Sequence, residues 1–204
     1  MRIFYKLLLG FFAIALLIWA VGFFSIYTFQ KTLEKTIAGY TVSFAGMILK
    51  NINQEISSDF LRMKVRSFGD TLQRTVQASN EVFEKMMDRE SYINRADQEW
   101  MSVPSGKVTP FMREILDLPL SKSFQREQAF YRNHYGYDVF PEIFVTNRFG
   151  VLAGASSKTS DYRQNDEDWW QEAWQKGFYF SPVEYDQSSK TYSVAIAARI
   201  ENDL

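Results

Sequence analysis

The residues best suited to bind a ligand are four carboxylates and two tryptophans that stand close together in the second half of the chain. They are Asp161, Asp166, Glu167, Asp168, Trp169 and Trp170. Carboxylates beside aromatic faces attract a cation or an amine, through charge and through cation–π contacts. Acidic residues at a helix start also oppose the positive end of the helix dipole and cap its N–H groups. The residue types therefore leave two interpretations open, a site for an amine or an ordinary helix start.

Catalytic chemistry has few candidate residues in this sequence. There is no cysteine, and His134 is the single histidine, so a thiolate nucleophile or a site of several histidines is excluded. The carboxylates do not follow the calcium-loop pattern, because no glycine stands centrally among them. The 23 basic and 24 acidic residues form no basic field for nucleic acid. We expect no enzyme, no metal, no cofactor and no nucleic-acid partner.

The elements that would position these residues are two predicted hairpins with a helix between them. In chain order they are strands Glu142–Thr146 and Val151–Ala155, helix Asp166–Lys176, and strands Phe178–Tyr185 and Thr191–Ile200. The first hairpin turns at residues 147–150, Asn-Arg-Phe-Gly, since Asn and Gly tolerate positive φ. The second turns at residues 186–189, Asp-Gln-Ser-Ser. This order predicts a small antiparallel sheet with a ligand-sized concavity over one face.

The N-terminal part of the chain predicts a membrane anchor. Leu7–Phe29 contains no charged residue, and at about 1.5 Å per residue it spans a hydrocarbon core of roughly 30 Å. A cleaved signal peptide would have an apolar core of roughly 7–15 residues that ends in small residues. This run is longer and ends in bulky residues, which favours an uncleaved anchor. The short leader 1–6 favours a cytoplasmic N-terminus.

A long helical pattern follows the apolar run. From residue 30 to residue 95 apolar side chains recur every three or four positions, and no proline occurs before Pro104. We interpret 30–95 as a stalk helix whose apolar stripe packs on its own domain, on a second copy, or on both, and we expect a homodimer. A plain helical bundle would explain the stripe but not why it directly follows the anchor.

The remaining residues, 96–204, are predicted to form the ligand-sensing domain. Its first part, Asp97–Leu120, contains three prolines and is predicted to be a loop with a short helix near Phe111–Leu116. A helix over Ser121–Tyr135 follows and stops at Gly136. Helices followed by hairpins place the chain in the α+β class.

Several motifs in this domain follow one another in an order typical of one family. They are residues 144–150 (FVTNRFG), 156–157 (SS), 161–164 (DYRQ), 168–173 (DWWQEA) and 179–181 (YFS). This order resembles the membrane-distal half of double Cache sensor domains, over Gly46 to Leu204. The resemblance implies a PAS-like sheet after a long N-terminal helix, held in the periplasm or outside the cell by the inner membrane. It also implies a histidine kinase, chemotaxis receptor or cyclic-di-GMP enzyme whose output domain, second membrane helix, fifth strand and membrane-proximal half are missing from this chain, a fragment or truncated sensor.

The same resemblance implies a set of ligand-binding residues. Cache domains that bind amino acids use a tyrosine, an arginine two residues before a Trp-aromatic pair, a second tyrosine and a later acidic residue. Glu167 occupies the arginine position, where it would repel a carboxylate, and Arg163 is the nearby cation. The expected set is Tyr162, Arg163, Glu167, Trp169, Trp170, Tyr185 and Asp186, around an amine or amino-acid-like small molecule. Trp169 and Tyr185 are expected to line one pocket.

Two functions from different classes remain open on this sequence. The first is a membrane-anchored sensor that binds a small molecule and passes a helix displacement along its stalk. The second is a membrane-tethered interaction module, in which the sheet binds a protein and the stalk dimerises. An enzyme is poorly supported, because no nucleophile and base, and no metal cluster, can be assembled from these residues.

Overall fold

The structure is a computed structural model that describes residues 2–104, 106–186 and 191–201. It divides into two compact units, Met1–Ser57 and Ser58–Leu204. Its elements are α1 (Arg2–Ser67), α2 (Asp70–Lys85), α3 (Arg89–Ser102), α4 (Pro110–Leu116), α5 (Pro119–Tyr135), β1 (Phe144–Thr146), β2 (Leu152–Ala155), α6 (Asp168–Lys176), β3 (Phe178–Phe180), β4 (Glu184–Asp186), β5 (Thr191–Ser193) and β6 (Ile196–Ala198). The chain is thus mostly helical with a small antiparallel component, which agrees with the α+β class in its coarse form.

The first unit is the N-terminal part of α1. This helix contains one segment that is long and apolar enough to cross a membrane, and none of that segment is buried in the structure. Apolar side chains left exposed along a whole helix are those expected of a helix surrounded by lipid. The predicted apolar helix is therefore present and compatible with a membrane span, although a signal sequence near an N-terminus meets the same criterion of length and composition.

The stretch that the sequence predicted as one stalk helix, 30–95, is divided between three helices. The first break lies at Phe68 and Gly69, where the Gly69 backbone is extended at φ −71° and ψ 132°. Glycine is a poor helix former, and the Gly69 N–H closes the last turn of α1 on the Arg66 carbonyl at 2.8 Å. The Gln73 Nε2 donates to the carbonyl of the buried Ser67 at 2.6 Å. The chain therefore ends one helix and starts another, within the compact unit that begins at Ser58.

The predicted loop over Asp97–Leu120 is wrong in its first part, because α3 continues to Ser102. The reason is burial: Trp100 is fully buried, and its Nε1 donates to the Thr159 carbonyl at 3.0 Å. Trp100 lies against Phe111 and Tyr162 in the larger of two core clusters. Packing of this large aromatic side chain stabilises the last turn of α3, where local helix propensity alone is too weak to do so.

The first predicted hairpin is confirmed. β1 pairs antiparallel with β2, and the register shifts between Val145 and Thr146. Gly150 has φ +75°, the positive φ that the turn was predicted to need. The small residues of β2 leave room that α5 fills, since a Cβ added at Gly154 would lie 3.3 Å from the Leu120 Cδ2 and the Ser121 Oγ. The second core cluster lies here, between α2, α5 and the first hairpin, and consists of Leu72, Leu120, Phe124, Val145 and Ala153.

The second predicted hairpin is present but divided into two ladders. β3 pairs with β6, and β4 pairs with β5, both antiparallel. Three residues lie between Phe180 and Glu184, while two lie between their partners Ser193 and Ile196, so the first strand carries one extra residue. Pro182 lies in this interval, and proline has no N–H to donate to a ladder. The irregularity is therefore a bulge where the proline interrupts pairing.

Candidate functional site

Helix α6 brings two of the predicted site residues against β1. The Trp170 Nε1 donates to the Thr146 Oγ1 at 2.9 Å, and the Trp169 ring meets the Phe144 ring edge-on at a centroid distance of 5.6 Å. Trp174 follows one turn later and stacks on Trp170 at 5.1 Å with 7° between the ring planes. Residues four apart lie on one face of a helix. The three tryptophans therefore form one aromatic wall, which we call the Trp wall (Trp169, Trp170, Trp174).

Strand β1 separates this wall from helix α2. Side chains alternate between the two faces of a strand, so Phe144 and Thr146 lie on the α6 side and Ile143 and Val145 on the other. Val145 belongs to the cluster that contains Leu72 of α2. Helices α2 and α6 thus cover opposite faces of β1.

A cavity of about 640 Å³ lies beside β1. Its lining comes from residues 63–67 at the end of α1, 72–80 of α2, 141–148 around β1, 169–174 of α6 and 193–200 around β6, with Phe124 of α5. Ligand pockets for small molecules typically measure about 300–1,000 Å³ and combine apolar walls with a few polar groups. The size and lining of this cavity fit that description.

The charged side chains of the lining are mainly basic. Arg66 pairs with Glu127, with its Nη2 at 2.6 Å from a carboxylate oxygen, and Arg148 pairs with Glu84 at 2.7 Å. The third arginine, Arg199, donates to the Trp174 carbonyl at 2.7 Å and pairs with Glu201 at 3.3 Å. A guanidinium carries five N–H donors, so one carboxylate does not exhaust it. Glu142 is the acidic residue of the lining.

The structure brings Trp169 and Trp170 of the predicted ligand set to this cavity but not the other described members. Tyr185 lies 53% exposed on β4, packs edge-on against Tyr192 and does not line the cavity. The structure therefore places Trp169, but not Tyr185, at this cavity. Asp186 closes β4, and its side chain lies outside the described residues.

Tyr162 and Arg163 have structural partners elsewhere in the unit. Tyr162 is buried in the larger core cluster, where burial raises the pKa of its phenol well above the ordinary value. The backbone N–H groups of both residues donate to the Asp97 Oδ1 at 2.9 Å. The Arg163 guanidinium contacts Glu90 at 2.6 Å and the Asn94 side chain at 3.0 Å. Both side chains attach the loop before α6 to α3.

The four predicted carboxylates lie just before and at the start of α6, outside the cavity lining. They are Asp161, Asp166, Glu167 and Asp168. The Asp161 Oδ1 accepts hydrogen bonds from Ser160 at 2.8 Å and from the Gln164 side chain at 2.5 Å. Glu167 is the N-cap residue of α6. Among the described residues no group of three potential ligands is placed to hold a metal ion. Of the two interpretations left open by the sequence, this geometry matches the helix start.

Glu167 gives this helix start a pH dependence. Partial burial, and then the carboxylates of Asp161, Asp166 and Asp168, raise its pKa in the folded chain above the ordinary value. The folded state therefore holds a proton more readily than the unfolded state, so stability falls as pH rises from the ordinary pKa through the raised one. We expect Glu167→Gln to raise the midpoint of thermal unfolding at pH 7 and to leave it unchanged at pH 3, measured on the full chain in detergent micelles.

Glu172→Gln is the control for this prediction. It removes one negative charge from the same helix, away from the cluster, and breaks the 2.7 Å pair with Lys176. It should give no increase at pH 7. A lower midpoint for Glu167→Gln at pH 7 would show that attraction to the helix dipole outweighs repulsion from the neighbouring carboxylates.

Much of the cavity lining was not predicted from the sequence. Met63 and Arg66 of α1, Leu72 and Val76 of α2, and the run around β6 come from parts of the chain that are far apart in sequence. The apolar stripe through Leu72 and Val76 was the available signal, and packing on the chain's own domain was one of the alternatives it left open. Only the separate helix α2 turns that stripe toward the sheet.

Comparisons with known proteins identify no relative: no family model, no curated protein and no solved structure matches this chain.

Proposed function

We propose that this chain is the membrane-anchored sensing module of a bacterial signalling receptor, of the PAS-like double Cache type, and that the cavity beside β1 is its sensing site. The apolar part of α1 serves as the anchor, with the N-terminus in the cytoplasm and Ser58–Leu204 on the far side of the inner membrane. The module acts by binding rather than by catalysis. Support comes from the ordered motifs between residues 144 and 181 and from the long apolar helix that precedes the folded unit.

One observation carries the proposal: the last turns of α1 line the cavity. Met63, Arg66 and Ser67 contribute to the lining, and they belong to the same continuous helix that contains the apolar segment. A ligand that fits one position of these turns better than another favours that position by its differential affinity. Small helix shifts of this kind are a common form of switching. A direct connection from binding site to anchor is what a sensor needs.

A second candidate function, a membrane-tethered interaction module, is favoured by a different surface. The C-terminal half of α5 and the loop after it expose the aromatic residues Phe130, Tyr135 and Tyr137, each more than half exposed. Exposed aromatic side chains are enriched where proteins bind one another. This surface lies outside the cavity lining, so the two functions can be tested separately.

Ligand-induced stabilisation tests the sensor proposal. The full chain in lipid nanodiscs is screened by thermal unfolding against amino acids, amines, organic acids and purines. A ligand of the folded state stabilises it by about 2.7 kcal/mol at about 100 times its Kd. We expect one class to raise the midpoint, and Trp169→Ala to abolish that shift because it removes part of the cavity wall.

Tyr185→Ala is the matched control, since it also truncates an aromatic side chain but lies outside the cavity. It should keep the full shift. Loss of the shift in both variants would match the ligand site that the sequence resemblance implied, which contains Trp169 and Tyr185, and would contradict the cavity as the site. If no small molecule stabilises the chain while a protein binds saturably and Phe130→Ala abolishes that binding, the interaction module is the correct function.

A further inference from the structure

One face of the last turns of α1 packs on the rest of its own folded unit. The Phe60 ring meets the rings of Phe178 and Phe180 at centroid distances of 6.0 and 5.3 Å. Met63 and Ser67 lie on the same side of the helix, because residues three and four apart share a face, and both line the cavity beside β1. These contacts show which side of this part of α1 is already covered.

The opposite side of the same turns is apolar and exposed. Leu61 and Val65 lie on it, and Phe68 directly follows the last residue of α1. All three side chains are more than half exposed. At 3.6 residues per turn, Leu61 and Val65 lie roughly 150° around the helix from the covered face. A row of large exposed apolar side chains is a common mark of an interaction surface.

This row continues toward the membrane segment when it is counted back along α1. Alternating steps of three and four residues pass through eleven positions, which we call the heptad row: Leu33, Ile37, Tyr40, Phe44, Met47, Asn51, Gln54, Ser58, Leu61, Val65 and Phe68. Eight of these residues are apolar, and all eight are exposed. A repeat of 3.5 residues drifts by about 20° per heptad on a straight helix, and the left-handed supercoil of a coiled coil removes that drift. The heptad row therefore has the period of a coiled coil.

The partner that fits the heptad row is a second copy of the same helix. Two copies anchored in one membrane by the same apolar segment leave it in the same direction and at the same level. In parallel two-stranded coiled coils, β-branched residues are favoured at core position a and leucine at core position d. Ile37 and Val65 occupy position a of the row, and Leu33 and Leu61 occupy position d.

Three polar residues in the middle of the row favour a single register. They are Asn51, Gln54 and Ser58. In register, each of them meets its own counterpart in the second copy. A shift of one heptad would place Asn51 against the apolar Phe44, and a polar group buried without a partner costs free energy. An asparagine at position a is a known device for fixing register and the number of strands, at a cost in stability.

The charges beside these polar positions are complementary in the same arrangement. In a parallel coiled coil, position g of one helix lies beside position e of the next heptad in the other helix. Lys50 is at position g and Glu55 at the following position e, and both are exposed. An in-register dimer therefore brings together this pair of opposite charges twice.

We propose that α1 pairs with α1 of a second copy along the heptad row, as a parallel, in-register, two-stranded coiled coil. The homodimer expected from the sequence thereby gains a defined surface, separate from the face that packs on the chain's own unit. This inference goes beyond the proposed function, because the pairing involves no ligand and none of the heptad row lines the cavity.

Disulfide formation tests the surface, because the sequence contains no cysteine. Gln54→Cys and Asn53→Cys are matched variants, since both residues are polar, exposed neighbours and only Gln54 belongs to the heptad row. Each full-length variant is reconstituted in liposomes and oxidised, and the cross-linked dimer is measured on denaturing gels without reductant. We expect at least about tenfold faster cross-linking for Gln54→Cys, because a disulfide needs the two Cβ atoms within about 4.5 Å. Leu61→Cys should also cross-link rapidly.

A charge exchange tests the orientation and the register. Lys50→Glu replaces two attractive pairs with two repulsive ones and should weaken dimerisation by about tenfold. The double variant Lys50→Glu with Glu55→Lys should restore it. Dimerisation is measured in detergent micelles by Förster transfer between full chains labelled at the N-terminus. In an antiparallel pair, position g faces g and e faces e, so failure of the double variant to restore association overturns the parallel arrangement.

The outcomes separate this inference from the proposed function. Equal cross-linking of Gln54→Cys and Asn53→Cys, or no cross-linking of either, overturns the coiled coil, and so does a particle mass of more than two chains in light scattering. If the chain is monomeric and a small molecule still stabilises it in a Trp169-dependent way, the dimer proposal fails and the sensor proposal stands. Row-specific cross-linking without stabilisation by any small molecule supports the dimer and counts against the sensor.

Discussion

Replacing Trp100 with alanine is expected to lower the free energy of unfolding by about 3–5 kcal/mol, the range for truncation of a large buried aromatic side chain. Trp100 is fully buried between α3, α4 and the loop that carries Tyr162. The substitution removes its ring contacts, leaves a cavity and strands the Thr159 carbonyl, which accepts from the indole Nε1. The measurement is urea unfolding of the full chain in detergent micelles, followed by near-ultraviolet circular dichroism, which reports tertiary packing rather than the helix of the first unit.

Trp100→Phe separates the two contributions. It keeps most of the aromatic volume but removes the hydrogen bond, whose loss leaves a buried acceptor unpaired at a cost of about 1–3 kcal/mol. The alanine variant should therefore be clearly less stable than the phenylalanine variant. Equal losses would show that the hydrogen bond alone fixes α3. A change of less than about 1 kcal/mol for Trp100→Ala, the size typical of an average substitution, would contradict the packing described here.

Trp100 also shows where sequence reasoning reached its limit. The stretch around it contains polar residues and lies before three prolines, so local pattern predicted a loop. The helix persists because its tryptophan packs against residues from α4 and from the loop after β2, which follow it in the chain. Contacts between distant segments override local propensity, and a single sequence does not display them.

Elements with a local cause were predicted well. The first hairpin follows from a β-branched run and a turn with Asn and Gly, and α6 follows from its acidic start and its glycine stop. Gly177, at the end of α6, has φ +87°, the conformation that favours glycine. The break of the stalk at Gly69 was not predicted, because the apolar stripe continues across it in the sequence. One glycine in a helix interior costs about 1 kcal/mol. This cost is small enough for tertiary packing to decide whether the helix continues through the glycine or ends there.

The predicted ligand-binding residues show the same contrast between features with a local cause and features that depend on distant contacts. Trp169 and Trp170 reach the cavity because they lie on α6, whose position against β1 follows from neighbouring segments. Tyr162 is as aromatic as they are, but its strand-like segment faces the larger core, and Val151, which bridges to Arg163, is buried beside it. Residue type identifies a candidate, whereas the face on which it lies depends on register and on distant partners. The arginines of the cavity lining also required the fold, because they come from α1, from the turn after β1 and from the residue after β6.

The turn of the first hairpin carries the second large expected effect. Asn147 is buried, its Oδ1 accepts from the Phe149 N–H at 2.9 Å, and its Nδ2 donates to the Ser79 Oγ at 2.9 Å. Gly150 closes the turn at φ +75°, directly against Asn165. This turn ties α2 to the hairpin that forms one wall of the cavity, so its geometry decides whether β1 is held in register.

Gly150→Ala is expected to lower the free energy of unfolding by at least about 2 kcal/mol. A side chain in the left-handed region costs about 1–2 kcal/mol, and the added Cβ would also lie 2.8 Å from the Asn165 N and 2.9 Å from its Cα. Because these are backbone atoms, they move only if the loop shifts, and overpacking of this kind costs about 1–3 kcal/mol. Gly136→Ala is the matched control, since Gly136 has φ +79° but an added Cβ there meets nothing within 4 Å. Urea unfolding of both variants should therefore give the larger loss for Gly150→Ala, and equal losses would show that conformation alone, and not contact with Asn165, makes glycine necessary in this turn.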